Sequence, residues 1–153
     1  MNKKNLSVEQ TFALAFQNHQ KNNFQEAENL YNEILKINPD HFKSIFYLGS
    51  LLAQTRNFAK AKQLFQKAIQ INPNHPHVYY NLGLVFKETG EYKKAISYYE
   101  KAIKIKPEYF IAYNNLGIVF YELGEFQKAI SCYEQAIQIN PDFVNGHFGL
   151  GNV

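Results

Sequence analysis

A repeat length of 34 residues runs through the chain and restricts its fold more than any other feature. Prolines stand at Pro39, Pro73, Pro107 and Pro141, so each lies 34 residues after the previous one. Leucines, alanines and aromatic residues keep the same step, at Leu14, Leu48, Leu82, Leu116 and Leu150; at Ala27, Ala61, Ala95 and Ala129; and at Tyr31, Phe65, Tyr99 and Tyr133. Such repetition is typical of proteins in which each unit buries its apolar face against its neighbours. The repeats are predicted at 8–41, 42–75, 76–109 and 110–143, after a lead at 1–7 and before a partial fifth repeat or cap at 144–153.

Each repeat has the pattern of two helices, called A and B in chain order. In the third repeat, apolar residues recur at the i, i+3, i+4, i+7 spacing of one helical face. Gly90 ends the A helix because glycine takes the left-handed conformation easily, and Pro107 ends the B helix because proline cannot continue the hydrogen-bond ladder. No segment alternates with a period of two, so the predicted fold is all-α. Small residues, Gly83 and Ala95, are expected to let the two helices approach closely.

Local signals refine the helix ends. Ser7 and Gln10 form the capping-box pattern at the start of the first helix. Asn22 stands in the first A–B turn, where asparagine tolerates the left-handed conformation. Arg56 is less suited to the second turn and would cost about 1 kcal/mol there; Asn57 is the alternative residue for that conformation.

These columns resemble the tetratricopeptide pattern W-x2-L-G-x2-Y, then A-x3-F, then P. Repeats two to four are similar to it, and the fourth fills every slot, with tyrosine in place of tryptophan: Tyr113, Leu116, Gly117, Phe120, Ala129, Tyr133 and Pro141. The first repeat departs from it at Thr11, Ala15 and Asn18. The chain is identified as a member of this family over about residues 8–153. The resemblance implies a right-handed α-solenoid of antiparallel helix pairs, with a concave groove lined by the A helices.

The A-helix face turned away from the B helix carries apolar and aromatic residues where an ordinary surface helix would be charged. Such a face suggests a binding surface. The residues predicted to bind peptide are Phe12, Phe46, Tyr80, Asn81, Lys87, Asn114, Asn115 and Tyr121. The alternative is packing within the solenoid, which applies most to Phe16, Leu84 and Ile118.

Asn81 and Asn115 stand at equivalent places in adjacent repeats, and an amide both donates and accepts hydrogen bonds. The pair is similar to the asparagine ladder of O-linked N-acetylglucosamine transferases, which implies a grip on a peptide backbone. The same column holds Ala13, Tyr47 and Gly149 elsewhere, so the ladder has two rungs. The alternative is that these asparagines bond to neighbours within the chain. The two-carboxylate clamp of some co-chaperones is excluded because only Asn81 matches it.

Several function classes are unsupported by the sequence. The net charge of +3 is too diffuse for a nucleic-acid binder, and no apolar run is long enough to span a membrane. The five histidines lack the i, i+4 spacing of metal ligands, and the single Cys132 has no partner base. We therefore expect no cofactor, no metal, no catalysis by the chain as given, and a cytoplasmic location.

The sequence favours a non-enzymatic scaffold that binds protein or peptide segments. The alternative is an N-terminal substrate-binding module of a larger glycosyltransferase, sulfotransferase or methyltransferase, with its catalytic domain beyond residue 153. Residues 144–153 match the start of an A helix, yet no B helix follows to cover Leu150. They are predicted to begin a fifth repeat of a longer protein and to self-associate when exposed; the competing interpretation is a short cap docked on the fourth repeat.

Overall fold

A computed structural model describes residues 6–153, which are all-α and contain no strand. The prediction of an all-α fold built from paired helices is confirmed. The helices in this part of the chain are α1 (Val8–Gln20), α2 (Phe24–Ile37), α3 (Phe42–Gln54), α4 (Phe58–Ile71), α5 (Pro76–Glu88), α6 (Tyr92–Ile105), α7 (Phe110–Glu122), α8 (Phe126–Ile139) and α9 (Val144–Gly151).

The odd-numbered helices begin at the first residues of the predicted repeats. Residues 1–5 of the predicted lead lie outside the described residues. Ser7 caps α1 as expected: its hydroxyl accepts from the Gln10 amide at 3.2 Å, and its own amide donates to the Gln10 side chain at 2.9 Å. This capping box satisfies two amides that the first helical turn leaves without partners.

The chain folds as two compact units, Met1–Pro73 and Asn74–Val153. The first contains α1 to α4 and the second α5 to α9. Within each unit, the A and B helices of every repeat pack side by side. The alanines of the B-helix column, Ala27, Ala61, Ala95 and Ala129, are fully buried.

In repeats two to four, a glycine opposite an aromatic ring brings the two helices together. A Cβ added at Gly83 would lie 2.6 Å from the Tyr99 ring, and one at Gly117 would lie 2.8 Å from the Tyr133 ring. Both distances are too short for a real side chain, so any larger residue would push the helices apart. The predicted close approach at Gly83 is therefore confirmed, and its partner is the ring of Tyr99 as well as the small Ala95.

One left-handed residue makes each A–B turn. Its φ is 60° at Asn22 and 61° at Arg56, and two glycines hold the equivalent places later in the chain. The alternative that Asn57 takes this conformation is wrong: its φ is −81°, and it is the N-cap of α4. The geometry of the turn requires the left-handed residue at a set distance after the A helix, so Arg56 is strained there whatever its preference. The Arg56 guanidinium lies 5.6 Å from the centroid of the Phe58 ring, and this contact offsets part of the cost.

Helix α9 docks on α7 and α8. A Cβ added at Gly146 would lie 3.0 Å from Ile137, and one at Gly149 would lie 2.6 Å from the Tyr133 ring. Glycine lowers helix propensity, but here two glycines also allow a close contact with α8 that larger residues would prevent.

Candidate functional site

In the first unit, the predicted site residues pack into an aromatic cluster. The Phe12 ring lies 5.7 Å from the Tyr47 ring and 6.0 Å from the Tyr31 ring, and the Phe46 ring lies 5.2 Å from the Tyr47 ring. Phe16 meets Tyr47 edge to face at 4.9 Å. Phe16 therefore packs on the next A helix, as the alternative interpretation expected. Tyr47 contacts both Phe12 and Phe46, and the side chains of Phe12 and Phe46 are half-buried.

In the second unit, Tyr80 and Asn115 are brought together. The Asn115 side-chain amide donates to the Tyr80 hydroxyl oxygen at 3.2 Å and to the Ile111 carbonyl at 2.9 Å. Both amide hydrogens of Asn115 are thus used inside the chain. This agrees with the alternative of neighbour-bonded asparagines. Burial raises the pKa of the Tyr80 hydroxyl, and the bond from Asn115 opposes the shift.

Asn81 and Lys87 lie further along the same A helix, α5, and both are half-buried. The Lys87 ammonium lies 3.5 Å from the carboxylate of Glu88, which is exposed. This pair is on the surface and contributes little to stability, because exposed ion pairs are screened by water.

A pocket of about 340 Å³ lies between α7, α8 and α9. It joins two predicted site residues, Asn114 and Tyr121, with others that the sequence analysis did not select. Its lining residues are Asn114, Ile118, Tyr121, Glu122, Tyr133, Asn145, Phe148, Gly149 and Asn152. The sequence signal for it was the change to glycine at position 149, in a column that holds asparagine in the two repeats before it.

Asn114 is the most unusual member of this pocket. The residue is only 5% exposed, and its side-chain Oδ1 is buried without a hydrogen-bond partner. Tyr121 and Phe148, in contrast, are 41% and 71% exposed at the pocket and present apolar ring surface to solvent. The pocket therefore combines a buried hydrogen-bond acceptor with exposed aromatic edges.

The thiol of the single cysteine, Cys132, is expected to be unreactive. Burial, and then the nearby charge of Glu100, raises the pKa of the Cys132 thiol to about 11. The thiol is therefore protonated near neutral pH, and a protonated thiol is a poor nucleophile. Cys132 is better described as a packing residue of α8.

In residues 6–153, no group of three or more histidine, cysteine, aspartate or glutamate side chains is placed to share a metal ion. Across the same stretch, every helix is too short or too polar to cross a bilayer.

Three family models match the chain. Residues 110–143 match "Tetratricopeptide repeat", residues 85–124 match "TPR repeat", and residues 20–102, more than half of the chain, match "Anaphase-promoting complex, cyclosome, subunit 3". A comparison with curated proteins found no match.

Solved structures match over most of the chain. A crystal structure of MamA is 28% identical, with a TM-score of 0.82, and the match covers 90% of this chain and 81% of that one. A MamA fragment from Desulfovibrio magneticus RS-1 is 19% identical, with a TM-score of 0.82 and coverage of 90% and 78%. PilF from Pseudomonas aeruginosa is 18% identical, with a TM-score of 0.86 and coverage of 95% and 66%.

The two less identical structures establish the fold alone. The models and the more identical structure agree with the 34-residue columns and with the paired helices described above. Repeats of this kind present extended surfaces to other proteins, so the comparisons support a protein-interaction role. The chain belongs to the tetratricopeptide-repeat family.

Proposed function

We propose that this chain is a scaffold that binds a segment of another polypeptide, and that the A-helix residues of the second unit contact that segment. The pocket between α7, α8 and α9 carries the proposal. Its exposed Tyr121 and Phe148 rings flank a concave space of about 340 Å³. Ligand sites are typically concave and mostly apolar with a few placed polar groups, which describes this pocket.

Aromatic residues support the same conclusion on energetic grounds. A few aromatic or arginine residues usually dominate the binding energy of an interface. Tyr121 meets the Phe126 ring edge to face at 5.7 Å, so its ring is held in place before any partner arrives. A ring that is already ordered loses little conformational entropy on binding.

The test uses peptides selected from a random display library on the immobilised chain. Tyr121→Ala and Phe148→Ala should each weaken binding of the selected peptide by at least about tenfold, the loss expected of an interface hot spot. Both residues are exposed, so far-ultraviolet circular dichroism should stay unchanged. Titration calorimetry measures the affinity.

Matched controls come from α6, which does not line the pocket. Lys93 and Lys104 are exposed there, and Lys93→Ala and Lys104→Ala should leave the affinity unchanged. The proposal is rejected if the library yields no binder, or if the α6 variants weaken binding as much as the pocket variants do.

Two narrower hypotheses stay predictions. The likeness of Asn81 and Asn115 to an asparagine ladder predicts that Asn81→Ala combined with Asn115→Ala weakens peptide binding. The internal bonds of Asn115 mean that this pair would also disturb Tyr80, so Tyr80→Phe is its control. Membership in a larger transferase stays an alternative, and the full reading frame tests it.

Self-association through α9 is a further part of the proposal. Val144 and Phe148 are 75% and 71% exposed on this helix. Two apolar side chains on one short helix offer a surface that a second copy could cover. Sedimentation should then detect concentration-dependent association that Val144→Ser removes, and a monomer at every concentration would contradict it.

A further inference from the structure

Side chains 35 residues apart meet across neighbouring A helices within each unit. The Asn115 amide bonds to the Tyr80 hydroxyl in the second unit. In the first unit, the Phe12 and Tyr47 rings make the equivalent contact at 5.7 Å. One repeat after Tyr80 and Asn115, the equivalent positions hold Asn114 and Gly149.

Gly149 has no side chain, so it cannot supply the contact that Asn115 or Tyr47 makes. The consequence is visible at Asn114, whose Oδ1 is buried and has no hydrogen-bond partner. A buried acceptor without a donor is unfavourable and uncommon in native structures. Asn114 and Gly149 both line the pocket, so the unpartnered oxygen belongs to a residue beside the space where a ligand could lie.

The lining determines what kind of group would complete this contact. Glu122 contributes a carboxylate, and Asn145 and Asn152 contribute further amide oxygens. Tyr121 and Phe148 contribute exposed aromatic faces. The nine described residues that line the pocket include no lysine, arginine or histidine, so acceptors and aromatic rings face an incoming group without a competing cation.

Glu122 lies close enough to the Tyr92 hydroxyl to raise the pKa of that tyrosine. A carboxylate can accept about four hydrogen bonds in all, so Glu122 retains acceptor sites for a ligand.

We propose that this pocket binds an arginine side chain of the partner polypeptide; the inference rests on the function proposed above. A guanidinium carries five N–H donors in one plane and stacks on aromatic faces. It can therefore donate to Asn114 and Glu122 while its plane lies on Tyr121 or Phe148. A lysine ammonium lacks the planar face and gains less from the two rings.

The peptides selected on the full chain provide the first test. Arginine should be enriched at one position of the selected sequences. A synthetic copy with citrulline at that position keeps the shape and removes the charge, and norleucine removes the donors too. Binding should weaken by about tenfold for citrulline and further for norleucine, because hydrogen bonds to charged groups contribute more than neutral ones.

Variants of the chain identify the two acceptors. Glu122→Gln should weaken binding of the arginine peptide by about tenfold and leave binding of the citrulline peptide unaffected. The two peptides and the two proteins form a double-mutant cycle, which isolates the interaction between the two charges. Glu88→Gln is the matched control, because Glu88 is exposed at the same column one repeat earlier and does not line the pocket.

Asn114→Leu separates a binding role from a structural one. Leucine is close to asparagine in shape and removes the unpartnered oxygen. The denaturation midpoint of the Asn114→Leu variant should equal or exceed that of the native chain, while the affinity of the variant for the arginine peptide falls. A lower midpoint together with unchanged affinity would assign Asn114 to the core alone.

The outcomes distinguish this inference from the proposed function. Selected peptides that depend on Tyr121 and Phe148 but contain no enriched arginine, or that bind Glu122→Gln and Asn114→Leu normally, overturn the arginine site and leave the scaffold function standing. A library that yields no binder overturns both. Glu122 is exposed, so Glu122→Gln should not affect folding. This variant therefore tests the arginine site even if Asn114→Leu folds poorly.

Discussion

The hydroxyl of Tyr99 lies in the core of the second unit without a hydrogen-bond partner. The Tyr99 side chain is fully buried, with its ring against Gly83, and burial raises the pKa of its hydroxyl far above the ordinary value. A buried polar group without a partner costs about 1–3 kcal/mol. Tyr99→Phe removes that cost and leaves a void of one oxygen atom, which offsets part of the gain. We expect a net stabilisation of about 1 kcal/mol.

Phe65 supplies the reverse experiment. It occupies the same column in the second repeat and is also fully buried, beside Gly49. Phe65→Tyr should therefore place a hydroxyl in an apolar site and lower stability by about 1–3 kcal/mol. One substitution removes a buried hydroxyl group from this column, and the other adds one.

Guanidinium unfolding followed by far-ultraviolet circular dichroism measures both effects. The midpoint should rise for Tyr99→Phe and fall for Phe65→Tyr, with the slope unchanged because the exposed surface on unfolding is the same. In a thermal scan, 1 kcal/mol corresponds to roughly 2–4 °C for a chain of this size. A lower midpoint for Tyr99→Phe would refute the reasoning, since it would mean that the hydroxyl is hydrogen-bonded in solution.

Three further predictions follow from single positions. Gly83→Ala should destabilise the chain by about 1–3 kcal/mol through overpacking, whereas Gly151→Ala, with no atom within 4 Å of the added methyl, should not; denaturant midpoints compare them. Gly90→Ala should cost about 1–2 kcal/mol, and the whole cost comes from the φ of 72°, because the added methyl group has no atom within 4 Å. Arg56→Gly relieves the same strain and should raise the denaturation midpoint. Burial lowers the pKa of His19 below 6.5, against a smaller opposing effect of its bond to Gln54. The unfolded chain therefore takes up a proton first, and the midpoint should fall as the pH drops through about 6.5, less steeply in His19→Gln.

The candidate site was predictable only in part. Periodicity placed Asn114 and Tyr121 on the A-helix face, and both line the pocket. It placed Phe12 there too, yet this ring contacts Tyr31 and Tyr47 within the first unit. A helical wheel identifies which residues share a face but not how closely the neighbouring helix approaches that face. The division between packing and exposed side chains depends on that approach.

The sequence by itself determined where helices begin and end, because those signals are local. Proline lacks an amide, glycine accepts positive φ, and the side chains of Ser7 and Gln10 satisfy the first amides of α1. Only the tertiary structure decided how side chains in different repeats pair. It holds Arg56 in the left-handed region because the helices on both sides require a turn there. It leaves the Oδ1 atom of Asn114 without a hydrogen-bond partner because the residue 35 positions later is glycine, and it sets α9 against Tyr133 because the same glycine lets the helices come close. Such contacts depend on distances between helices, which no local stretch of sequence specifies.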